Sequence, residues 1–152
     1  MKFIADVMLG KLAKYLRMCS CDIQYDHNIE DKALIETAMH ENRILLTRDR
    51  LMLLRKEIKD GLIQYAYIKN ETLKMQLKQI RDDFDIPLKI HFARCIKCNT
   101  ILTEALRDKI KKNVPEYIFQ TQKKFYYCSE CHKFYWSGTH KKNMEIFFRE
   151  NF

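Results

Sequence analysis

Four cysteines and three aspartates are the residues whose types and spacing point to chemistry. Cys95-Ile-Lys-Cys98 and Cys128-Ser-Glu-Cys131 are two C-x2-C units with 29 residues between them. A C-x2-C turn presents two thiolates from one knuckle, and two such turns complete a tetrahedral Zn2+ site with arms of about 2.3 Å. Four sulfurs leave no position open for a reactive water, so the zinc expected here is structural. The spacer exceeds the commonest spacing but has room for two or three strands of a zinc ribbon. Two disulfides or inert core cysteines are the competing readings. Cys19 and Cys21 have C-x-C spacing, which suits one knuckle poorly, and read as small, partly buried residues.

The aspartates follow apolar strands. Ile44-Leu-Leu-Thr47 runs into Arg48-Asp49-Arg50, and Lys2-Phe-Ile-Ala5 runs into Asp6. In an open α/β sheet the ligand crevice lies beyond the carboxyl ends of the strands, where the strand order reverses. If the first and third strands are neighbours, Asp6 and Asp49 flank that crevice. Asp31, in the first turn of the helix leading to the third strand, can face it too. Three carboxylates at one small site need a cation, and hard oxygen ligands select Mg2+ or Mn2+. Such an ion orients a water and neutralises charge on a phosphodiester. Lys11, Arg48 and Arg50 are then candidate phosphate contacts. His140, after Ser137-Gly138-Thr139, either touches a phosphate or caps the ribbon. Each acid also has a plainer reading. Asp6 can cap a helix, Asp31 can answer the helix dipole, and Asp49 can pair with its two arginines. Arg17 reads as a side chain snorkelling beside the core.

The elements that must position these residues follow from periodicity. Leu9, Leu12, Ala13 and Leu16 predict a helix over residues 8–18, and Asp22-Ile-Gln-Tyr25 a short second strand. Asn28 is a candidate cap for a helix carrying Leu34, Ile35, Ala38 and Met39, which ends near Asn42. Leu51, Leu54 and Ile58 suggest a short helix closing at Gly61. Residues 62–68 are rich in strand formers. Leu73, Leu77, Ile80 and Phe84 mark a helix capped by Asn70 or Thr72 and stopped before Pro87. Strands alternating with helices imply βαβ units and a parallel sheet, an α/β fold. Beyond Ile90, paired cysteines, lysines and aromatic clusters change the composition. The boundary therefore falls near residue 91, giving units 1–90 and 91–152, with a short final helix over 141–149.

Charge separates the same two units. Residues 1–90 hold sixteen Lys/Arg against fourteen Asp/Glu, a balance of +2, and residues 91–152 hold twelve against six, a balance of +6. A basic appendage beside a near-neutral unit suggests a polyanionic partner, the bland alternative being solvated lysines. No run approaches the 18 apolar residues of a membrane span. Lys2, Asp6, Lys11 and Lys14 interrupt any apolar signal core, which leads to the expectation of a cytoplasmic protein. Disulfides are rare there, which favours metal for the cysteine pairs.

Taken in order, Asp6-Val-Met-Leu-Gly-Lys-Leu-Ala-Lys-Tyr-Leu-Arg17, Ile44-Leu-Leu-Thr-Arg-Asp-Arg50, the two cysteine pairs and Tyr135-Trp-Ser-Gly-Thr-His140 resemble the Mut-seven C-terminal RNase family. The resemblance covers nearly the whole chain. It implies a PIN-like three-layer α/β/α sandwich with a parallel sheet, followed by a small zinc-ribbon domain. It further implies a metal-dependent ribonuclease whose acids fall on Asp6, Asp31 and Asp49, with Mg2+ or Mn2+ for catalysis. A fourth acid has no assigned position. RNA is the expected partner, with ribosome or tRNA as candidate forms. The ribbon would be its platform, where Tyr126, Tyr127, Tyr135 or Trp136 either stacks on bases or fills the ribbon core. Two positions depart from the family pattern. A glycine expected after the first helix is Ser20 here, and the usual serine before the last histidine is Thr139. The alternatives are a non-catalytic RNA- or ribosome-binding module and a receiver-type domain with Asp49 as phosphoacceptor. The arginines flanking Asp49 disfavour the latter.

Freshly purified protein is expected to hold about one equivalent of zinc, because structural zinc binds with roughly 10–16 kcal/mol in small modules. Metal analysis of unchelated protein checks this, and Cys98→Ser should lose the metal.

Overall fold

A computed structural model describes residues 1–91 and 93–152, His140 by its backbone alone. The first four strands, β1 (Lys2–Ala5), β2 (Asp22–Gln24), β3 (Ile44–Thr47) and β4 (Tyr65–Tyr67), form one parallel sheet in the order β2-β1-β3-β4. The period-2 alternation of β1 and β3 sends successive side chains to opposite faces. Phe3, Ala5 and Leu46 enter one core, and Ile4 and Leu45 enter another. Helices α1 (Gly10–Met18) and α4 (Leu73–Phe84) cover the first face through Leu12, Leu16, Leu77 and Ile80. Helices α2 (Asp31–His40) and α3 (Lys56–Lys59) cover the second through Leu34, Ile35, Ala38 and Ile58. Leaving β1, the chain runs one way to β2 and then back across β1 to β3. The strand order therefore reverses between β1 and β3, where sequence alone placed a crevice.

Several local expectations hold and others need correction. Asn42 is left-handed, and Thr72 caps α4 by accepting from Met75 N. The helix over 8–18 begins instead as a 3-10 turn, Val7–Leu9, capped by the Asp6 side chain. Asn28 does not cap α2, whose N-cap is Glu30 without a side-chain bond. The stretch after Asp49 divides into a 3-10 turn, Met52–Leu54, and α3. The β-branched and aromatic residues over 62–68 supply only the three-residue β4, after a turn at Gly61 with φ 72°.

Strands β5 (Thr103–Glu104), β6 (Phe125–Tyr127) and β7 (Phe134–Trp136) form an antiparallel sheet beside the cysteine pairs. The long spacer also holds α5 (Arg107–Ile110) and α6 (Glu116–Thr121), and Ile110, Val114, Phe125 and Trp136 pack together there. Helix α7 (Thr139–Asn151) then returns to the first unit. Phe148 is 4% exposed within the α1/α4 core, Phe147 meets the Tyr15 ring edge-on at 5.8 Å, and Arg81 Nη1 donates to Phe152 O. Among the described residues no helix is long and apolar enough to cross a membrane.

The end of α1 explains why the Ser20 departure matters. Cys21 N donates to Leu16 O and Ser20 N to Arg17 O, the bonding of a Schellman cap. That cap puts Ser20 at φ 68°, a conformation that favours glycine. The Ser20 hydroxyl is also buried without a hydrogen-bond partner among the described residues. Ser20→Gly is therefore expected to stabilise the protein by about 1 kcal/mol, since the left-handed region costs roughly 1–2 kcal/mol for a side chain. Thermal melting should rise by about 2–4 °C, and an unchanged or lower midpoint would show the turn to be unstrained.

Candidate functional site

Two constellations emerge, one at the carboxyl edge of the parallel sheet and one of sulfur. At the edge, Asp6 follows β1 and is 4% exposed. A carboxylate so buried must be satisfied by donors. Its Oδ1 accepts from Met8 N at 2.8 Å, and its Oδ2 accepts from Arg48 N at 2.9 Å and from the Thr47 hydroxyl. Thr47 Oγ1 in turn accepts from Asp49 N at 2.9 Å, so one buried hydroxyl joins the two aspartates. Asp49 Oδ1 accepts from Leu51 N at 2.8 Å, while Oδ2 has no hydrogen-bond partner among the described residues. Gly10 leaves room for Tyr25 beside the turn after Asp6. A Cβ there would lie 2.5 Å from the Tyr25 hydroxyl oxygen, and that hydroxyl donates to Val7 O.

Asp31 lies on the same edge, in the first turn of α2, but its carboxylate pairs with Arg55 at 3.2 Å. The three aspartates do not converge as one ligand group among the described residues. Arg48 Nη2 reaches Glu71 Oε1 at 3.6 Å, and Arg50 Nε donates to the Tyr67 hydroxyl at 3.3 Å. Glu71 is thus an acid on this rim that the sequence reading did not single out; only the β4 register brings it near Arg48. Lys11 is exposed on α1, and the His140 side chain lies outside the described residues.

The sulfur constellation does converge. Sγ atoms of Cys95, Cys98, Cys128 and Cys131 all lie within 4.8 Å of one another, Cys98 and Cys128 at 3.4 Å. Tetrahedral arms of about 2.3 Å imply edges of roughly 3.8 Å, so this donor set fits a zinc-sized ion. The two knuckles are built alike. Asn99 N donates to Cys95 O and His132 N to Cys128 O, each at 2.9 Å, with Asn99 and His132 both left-handed. Burial works against a Cys98 thiolate, but bonds from the Thr100 hydroxyl and N–H outweigh it and bring that thiol down to about 6. Sharing hydrogen bonds with Cys98, together with burial, pushes Cys131 up to about 12. Four thiolates this close need a cation. Burial also pushes the Cys19 thiol up to about 12 and Cys21 up to about 11, consistent with unreactive packing residues.

Arg17 does not snorkel. It is 3% exposed, and its guanidinium donates to Ile23 O, Ile96 O and Lys97 O. Asn99 Oδ1 accepts from Ile23 N at 3.1 Å, and Asn99 Nδ2 donates to Asp22 Oδ1 at 2.9 Å. The outward N–H and C=O of edge strand β2 are thereby taken by the first knuckle and by α1. Asp22 also meets Arg43 at 2.7 Å and Arg94 at 3.1 Å. Burial opposes the Asp22 charge, but bonds from Arg43 and Asn99 prevail and hold its carboxyl below the ordinary range. The stability this gives is complete above that range and is lost as pH falls through the lowered value. The sequence held no spacing signal for this cluster, because its members come from four separate elements.

Thr47→Val keeps the shape at a fully buried position but removes the donor to Asp6 and the acceptor for Asp49 N. A loss of about 1.5–3 kcal/mol is expected in urea unfolding, the range for a hydrogen bond to a charged group. Thr47→Ser should recover most of it; equal midpoints for Val and wild type would mean that the bridge is unimportant.

A family model described as the Mut7-C RNAse domain matches residues 1–148. No curated protein and no solved structure matches the chain.

Proposed function

The chain belongs to the Mut7-C RNAse domain family, and from that premise we propose that it is a divalent-metal-dependent ribonuclease, PIN-like over residues 1–90, with a zinc ribbon over 91–152 that binds RNA in the cytoplasm. The observation that carries the reading is the link from Asp6 through Thr47 to Asp49, at the point where the strand order reverses. Ligands of open α/β sheets bind there.

The edge fits a hard cation in part. Asp6 Oδ1 accepts one bond only and Asp49 Oδ2 none among the described residues, so each keeps a lone pair for an ion. Asp31 is the third acid of this reading, and its pair with Arg55 must open for it to join. Mg2+ or Mn2+ held by these carboxylates would lower the pKa of a bound water and offset charge on the phosphodiester. The chain supplies the rest. Thr47 and Arg48 N fix the Asp6 carboxylate, and Leu51 N fixes that of Asp49. Arg48, Arg50 and Lys11 bring positive charge for phosphate oxygens. At the ribbon, four thiolates and Zn2+ would carry a net charge of −2, half of which the buried Arg17 guanidinium offsets. A non-catalytic RNA-binding protein is the second reading, favoured by the outward pairing of Asp31.

Asp49→Asn decides between them. The amide oxygen can still accept from Leu51 N, so the melting temperature should hold. Mn2+-dependent cleavage of labelled RNA should fall by more than about a hundredfold, beyond the 10–100-fold typical of an outer partner, while RNA binding persists. Full cleavage by Asp49→Asn would remove the nuclease assignment from this site.

A further inference from the structure

Two cavities along the seam between α1 and the ribbon share Met18, Ile96 and Tyr135, and so form one groove. One end, of about 280 Å3, is walled by Phe134 and Trp136 together with Ile90 and Met144. The other, of about 470 Å3, is edged by Lys14, Lys97 and Lys133 and reaches Gly10 and Tyr25. These three lysines are exposed and make no ion pair among the described residues. Tyr25 bonds to Val7 O, the residue after Asp6, so the basic end opens beside the carboxyl edge of the sheet.

We propose that this groove seats single-stranded RNA running from the carboxyl edge toward the ribbon, its phosphates on Lys14, Lys97 and Lys133 and one base in the Phe134–Trp136 pocket. The inference rests on the ribonuclease reading for its ligand class, and adds the strand form and the path. Charge and shape argue together. An apolar aromatic pocket takes an unstacked base, which has a π-face whatever its sequence, and a basic track beside it follows the backbone. Bases in an RNA duplex are stacked and cannot enter such a pocket. The site combines both units, with α1 giving Lys14, the first knuckle Lys97 and the ribbon Lys133.

Trp136 is the single tryptophan of the chain, so its fluorescence reports on the pocket alone. The test uses the full zinc-loaded protein without added Mg2+, Mn2+ or chelator, so that loss of cleavage and loss of binding are separate results. An octamer of uridine should bind by anisotropy and quench Trp136, whereas an RNA duplex of equal length should bind more weakly and leave the fluorescence unchanged. Replacing Lys14, Lys97 and Lys133 together by Ala should lower the slope of log affinity against log salt by about 2, at roughly 0.7 for each phosphate on a single strand. Binding without quenching, duplex binding as tight as single strand, or an unchanged salt slope in the triple variant would each overturn the proposal.

Discussion

The Asp6 carboxylate ties together two strand ends, meeting Thr47 from 41 residues away in sequence. It is buried, it carries charge, and three donors from two segments hold it. An uncompensated carboxylate in that position would cost several kcal/mol. The sheet must therefore pair β1 with β3, and the turn after β3 must offer a hydroxyl and an N–H in register. Thr47 and Arg48 do this. Gly10, which gives Tyr25 room to reach Val7 O, finishes the same turn from the β1 side. The chemistry proposed for the edge depends on that constraint, because it also fixes where Asp49 stands.

The ribbon is bound to the sheet by an equally specific contact. β2 is an edge strand, and an exposed edge invites pairing with another chain. Here Asn99 and Arg17 take the free N–H and C=O of Ile23. Asn99 is left-handed because the cysteine knuckle turns there, and that turn aims its amide at β2. A metal held by Cys95 and Cys98 would thus fix the element that closes the sheet edge. Phe148 adds a second anchor by entering the α1/α4 core from the far end of the ribbon.

Much of this was legible in the sequence, for identifiable reasons. Period-2 and period-3.6 patterns gave the elements over residues 1–90, since each buries one face. The cysteine pairs announced their site because both knuckles are local. Ser20, where the resemblance led to the expectation of a glycine, proved to be the left-handed cap of α1. What stayed hidden arises from contacts between distant segments. Thr47 read as a strand residue and Arg17 as a side chain snorkelling beside the core, and the spacing of the cysteines said nothing of Asn99. Only the packed chain shows that each satisfies buried polar groups elsewhere. The pairing of Asp31 with Arg55 was hidden for the same reason. Helices α5 and α6 had too few residues for a periodic signal.

Asp6 and Asp49 are proposed to hold a divalent cation at the reversal of strand order. Anomalous scattering from a crystal soaked in Mn2+ tests it most directly. The expected result is a manganese peak bonded to both carboxylates, in addition to a zinc peak among the four cysteines. A zinc peak alone, with Asp6 and Asp49 unchanged at saturating Mn2+, would contradict it.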